Sequence, residues 1–114
     1  MSAVRALEQF EFHHTLESST GTAIVFFSSQ ECSSCRYWEE LLGKYVATHD
    51  NSDVFKVDAG QDQALVEEFG VFHLPALYLY KDGEYHSPIQ CEAKLSEIEK
   101  AIKQSLEQPA QESP

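Results

Sequence analysis

Apolar residues along this chain fall into blocks whose period changes from segment to segment. Ala23-Ile24-Val25-Phe26-Phe27 is an unbroken run of β-branched and aromatic residues ending at Ser28-Ser29-Gln30, the pattern of a strand buried on both faces. From Ser33 to about Thr48 the period changes: Tyr37, Trp38, Leu41, Leu42, Tyr45 and Val46 recur every three or four residues. That spacing predicts an amphipathic helix with Glu39, Glu40 and Lys44 on its solvent side. Val54-Phe55-Lys56-Val57-Asp58 reads as a second core strand, and Gln61 to Phe69 as a short helix closed by Gly70. Leu77-Tyr78-Leu79-Tyr80 is a third strand. The Asp82-Gly83 pair then predicts a tight hairpin that returns Tyr85 to Gln90 antiparallel beside it. Leu95, Ile98, Ile102 and Leu106 mark one face of a last helix reaching about Gln108.

Near the front, Phe10 to Ser18 reads as a helix and Val4 to Leu7 as an edge strand. Phe10, Phe12, Phe69, Phe72 and Trp38 are expected in the core, and His13, His14, His49 and His86 on the surface. The element order predicts a mixed sheet with helices packed on it, a single α/β domain over residues 1–108. The tail 109–114, PAQESP, has no apolar anchor and is expected to be disordered.

Composition narrows the partners. With 42% hydrophobic residues, the 114-residue chain can bury a modest core without staples. Eight Lys and Arg against nineteen Asp and Glu give a formal charge of -11, which repels a phosphate backbone or an anionic membrane. Nucleic acid and membrane are therefore not expected partners, and a monomer is the expected state. The start of the chain lacks the apolar core of a secretory signal, so a cytoplasmic location is expected.

Two of the three cysteines stand three positions apart, in QECSSCRYW. That spacing alone leaves open a redox couple, half of a metal site, or two inert small residues at a helix start. A zinc site needs two more ligands, and the chain has no second Cys-x-x-Cys and no His pair at finger spacing, so no metal is expected. Cys91 has no partner at useful spacing and reads as a small, partly buried residue.

Cys32-Ser33-Ser34-Cys35 follows a buried strand and opens a helix, and Leu74-Pro75 stands about forty residues later before the strand and turn of FHLPALYLYKDGE. In this combination the chain, over roughly residues 7 to 108, resembles the thioredoxin family. The resemblance implies the thioredoxin fold, a central mixed β-sheet with helices on both faces, and a cis proline at Pro75 facing the cysteines. It also implies a thiol-disulfide oxidoreductase without a bound cofactor. Its partners would be protein disulfides and a thiol electron donor such as a thioredoxin reductase. His73, Leu74 and Pro75 would line the substrate side. The alternative is a redox-inactive binding or assembly module on the same fold.

The chemistry follows from the helix start. A separation of three residues there brings the sulfurs within disulfide reach, and the unpaired first-turn N–H groups favour a thiolate at Cys32. Cys32 is the expected nucleophile and Cys35 the resolving thiol. Arg36 adds a favourable charge, and Glu31 opposes it.

The chain departs from the family at informative places. Glu31 stands where Trp is usual, and Ser33-Ser34 where Gly-Pro is usual. Phe26 replaces the buried aspartate that relays protons to the resolving thiol, and Val54 is aligned with that aspartate's lysine partner. Loss of the relay predicts slower resolution and a more specialised enzyme. His73 takes the place of a glycine and could tune the thiolate near neutral pH.

Overall fold

The computed structural model describes residues 4–114, so the first three residues of the expected domain lie outside it. The elements run in the order β1 (Val4–Ala6), α1 (Phe12–Ser18), β2 (Thr22–Ser28), α2 (Ser33–Thr48), β3 (Ser52–Asp58), α3 (Gln63–Phe69), β4 (Ala76–Lys81), β5 (Glu84–Ile89) and α4 (Leu95–Leu106). Every element predicted from periodicity is present, with ends displaced by no more than two residues.

The five strands form one sheet in the order β1-β3-β2-β4-β5. β1, β3 and β2 run parallel, whereas β4 is antiparallel to β2 and β5 to β4. The central strand β2 is buried over six of its seven residues, which is why its sequence is a continuous apolar run rather than an alternating one.

Strand alternation divides that burial between two half-cores. Ile24 and Phe26 face α2 and α4, where they pack with Trp38, Leu42, Ile98 and Ile102. Ala23, Val25 and Phe27 face α1 and α3, where Phe12, Leu16, Leu65 and Phe69 close the other side. Helices therefore cover both faces of the mixed sheet.

The β4–β5 hairpin turns through Asp82 and Gly83, at φ 49° and 85°, the paired left-handed conformations of a type I′ turn. A side chain on Gly83 would also meet the carbonyl oxygen of Glu17 at 2.7 Å, so that turn requires glycine twice over. Residues 109–114 carry no helix or strand, and the Gln111 N–H donates to the His86 carbonyl at 2.7 Å.

Outside α2, three placements differ from expectation. Phe10 and Phe72, expected in the core, are 88% and 90% exposed. Each sits in a connecting segment just before an element, where no sheet face is left to receive it. His86, expected at the surface, is 6% exposed on β5. Its ring Nε2 donates to the Ser105 carbonyl at 2.6 Å, and the Ser87 and Ser105 hydroxyls bond beside it. This polar seam ties β5 to the end of α4.

Candidate active site

The cysteines lie at the junction of β2 and α2. Cys32 is the residue that caps α2, in extended conformation, and its N–H donates to the Ser29 carbonyl at 3.2 Å. Cys35 lies in the first turn, where its N–H donates to the Cys32 carbonyl at 3.2 Å. The two sulfurs are joined as a disulfide across a Cα separation of 5.3 Å. Their environments are unequal: Cys32 is partly buried, whereas Cys35 is 4% exposed against the core under α2. An incoming disulfide can reach Cys32; Cys35 can be reached only from within the site.

The Ser34 hydroxyl lies 3.6 Å from the Cys32 sulfur. A disulfide sulfur carries no proton, so the hydroxyl is the donor, and the same contact would favour a thiolate after reduction. Cys32 also stands at the positive end of a sixteen-residue helix, the end that favours negative charge.

A cavity of about 620 Å³ opens beside the pair. Its lining includes Cys32, with Cys35, Arg36 and Glu39 from α2 and Lys56 and Asp58 from β3. Glu39, expected on the solvent side of α2, stands one turn beyond Cys35 and is turned toward β3, where its Oε1 accepts from the Lys56 ammonium at 2.9 Å. The strand register corrects a second expectation: the residue opposite Phe26 on β3 is Lys56, and Val54 lies opposite Ile24. A lysine is thus retained beside the cysteines, and what β2 lacks is the carboxylate. Parallel pairing fixes which β3 residue meets Phe26, and that depends on the α2–β3 connection, whose path cannot be counted from the chain.

The other predicted residues are distributed around this centre. Glu31 and Ser33 are exposed, the first before the helix and the second at its start. The Leu74–Pro75 peptide bond is cis, and Leu74 packs against the same half-core as Cys32. His73 is exposed, and with Pro75 it lines a separate cavity of about 200 Å³ between the loop before β4 and the end of β5. Cys91 is the free cysteine; burial pushes its thiol pKa up, and Glu97 and Glu92 add to the effect. Among the described residues, no group of three or more His, Cys, Asp or Glu side chains is placed to hold a metal. Glu39 and Lys56 were missed as site residues. The available signal was that Glu39 follows Cys35 by four positions and so shares its helix face.

Comparison with known proteins agrees with this geometry. The thioredoxin family profile matches residues 3–104. Thioredoxin-1 of Schizosaccharomyces pombe is 29% identical over 83 residues, covering 73% of this chain and 80% of its own. The mitochondrial thioredoxin-2 of the same yeast is 26% identical over 81 residues, covering 71% of this chain and 61% of its own length. Among solved structures, oxidised mitochondrial thioredoxin 3 from Saccharomyces cerevisiae superimposes with a TM-score of 0.77 at 22% identity, covering 91% of this chain and 99% of that one. Spinach chloroplast thioredoxin f gives 0.78 at 16% identity, covering 92% and 95%. At these identities the structural matches establish the fold.

Proposed function

The chain belongs to the thioredoxin family, and from that premise we propose that it is a thiol-disulfide oxidoreductase acting on protein disulfides through the Cys32/Cys35 couple. The observation that carries this reading is the unequal pair at the start of α2: a reachable Cys32 with a hydroxyl donor beside it, bonded to a buried Cys35. In the reduced protein, the Cys32 thiolate attacks a substrate disulfide and releases the first substrate thiolate. Cys35 then loses its proton and attacks Cys32, releasing the second and leaving the protein as a disulfide. Two electrons pass from protein to substrate, and a thiol donor of the thioredoxin-reductase type restores the dithiol.

An extended substrate segment would pair with the backbone at Leu74, beside the cis Pro75, with His73 at its edge. We place the protein in the cytoplasm as a monomer, readings supported by its sparse cysteines and its charge of -11. Resolution is slower than in a general thioredoxin, because the strand position that would hold a proton-accepting carboxylate is the fully buried Phe26.

A Cys35→Ser variant in cell extract tests the reading, since it should accumulate proteins linked through Cys32 that are released by reductant. No linked protein would turn the assignment toward a binding module without turnover. Insulin reduction at the speed of a general thioredoxin would refute the slower resolution.

A further inference from the structure

Turnover by the couple, if the oxidoreductase reading holds, requires a proton acceptor for a thiol that is 4% exposed. β2 cannot supply one: Ile24 and Phe26 are apolar and buried, and Ser28 at its end is a poor base. The ionisable groups that face the cavity with Cys35 are Arg36 and Glu39 from α2 and Lys56 and Asp58 from β3, while β1 sets only Ala6 beside Lys56. Arg36 and Lys56 are cations and cannot serve as bases at neutral pH. Of the two carboxylates, Asp58 ends β3 opposite Ser28, and its Oδ1 accepts from the Gly60 and Gln61 N–H groups, which tie it into the turn after the strand. Glu39 remains. It follows Cys35 by one helical turn, and one carboxylate oxygen is held by Lys56 at 2.9 Å.

We propose that Glu39, held by Lys56, is the proton acceptor for Cys35 during resolution, working through water in the cavity of about 620 Å³ that they share. A carboxylate on the helix that reaches Cys35 only through water is a less direct base than one on the strand at Phe26, in keeping with slower resolution. In the step, the Cys35 S–H bond breaks and its proton passes through water to Glu39. The Cys35 sulfur then forms a bond to Cys32, and the bond between Cys32 and the substrate breaks, with the electron pair leaving on the substrate thiolate. Glu39 afterwards returns the proton to solvent or to that thiolate. Lys56 is a positioning residue. Glu39 and Lys56 are each 37% exposed, so substitution there disturbs little of the core.

The test uses the reduced full-length protein in a Cys91→Ser background with one equivalent of dithiobis-nitrobenzoate. The first coloured thiolate reports attack by Cys32, and the second reports resolution by Cys35. Glu39→Gln should leave the first phase unchanged and slow the second about a hundredfold, the low end of what a positioned base contributes. Without that base, the second phase should rise about tenfold per pH unit across neutrality, whereas wild type and Glu39→Asp show a flatter profile. Lys56→Gln should slow the second phase alone and add nothing in the Glu39→Gln background. Superimposable second phases in wild type and Glu39→Gln, or equal slowing of both phases, would overturn the role of Glu39. A wild-type protein that never releases the second equivalent would overturn the oxidoreductase reading, and the relay with it.

Discussion

Removing the Ser34 hydroxyl isolates the side-chain hydrogen bond made to the Cys32 sulfur, at 3.6 Å. A hydrogen bond to an ionised group contributes roughly 1.5–3 kcal/mol when well formed, but a long contact to sulfur in an exposed position keeps about 0.7 kcal/mol. That corresponds to about half a pH unit on the thiolate. The sign follows from the donor: Ser34→Ala withdraws a bond made more strongly to the thiolate than to the thiol, so the Cys32 pKa rises. The measurement is the alkylation rate against pH in proteins whose only thiol is Cys32, compared with and without the Ser34→Ala substitution. Below the midpoint, the Ser34→Ala protein should alkylate about threefold more slowly, the factor that half a unit implies. Destabilising the reduced form should also make the couple more reducing, by about 15 mV where the thiolate predominates. Superimposable alkylation profiles would show that the hydroxyl does not reach the thiolate, and a fall in pKa would reverse the reasoning altogether.

Leu42 is fully buried between α2 and the sheet, so Leu42→Ala should cost about 2–5 kcal/mol in denaturant unfolding; a loss under about 1 kcal/mol would contradict the packing. Phe72→Ser, at a residue 90% exposed, should stay within about 0.5 kcal/mol of wild type in the same assay. Alkaline stability should decline from about pH 10 upward, the range set by an ordinary tyrosine. Burial pushes Tyr85 up to about 12, and burial raises Tyr80 further. Both phenols hold their protons longer when folded than when unfolded, so their stabilisation is complete below the ordinary tyrosine pKa and is lost as pH climbs toward their folded values. Flat stability across that interval would mean the rings are hydrated.

Much of this architecture was legible because periodicity and burial agree. The run at Ala23 to Phe27 lies on a strand with helices on both sides, and the repeat from Tyr37 to Val46 lies on a helix with one face against the core. The same logic misplaced individual side chains. Tyr37 shares the apolar spacing of α2 yet is 53% exposed, because the stripe that reaches the sheet runs through Cys35, Trp38, Leu42 and Tyr45. Glu39, flanking that stripe, reads as a solvent-facing charge until β3 supplies Lys56 opposite it. Phe72 and Phe10 are apolar residues in connections, and periodicity says nothing about such positions. His86 is hidden because β5 is buried by α4, a long-range contact that its local sequence, Glu84 to Ile89, does not reveal. The cysteines were found by spacing and context together; their cavity depends on strand register, which belongs to the fold.

The most direct measurement is the equilibrium between dithiol and disulfide forms of Cys32/Cys35 in thiol buffers of known potential. A redox couple in use should titrate reversibly as a two-electron step within about -270 to -120 mV, the span of disulfide-exchange proteins. A disulfide that resists reduction below about -300 mV would behave as a structural bond, and would contradict a role in exchange.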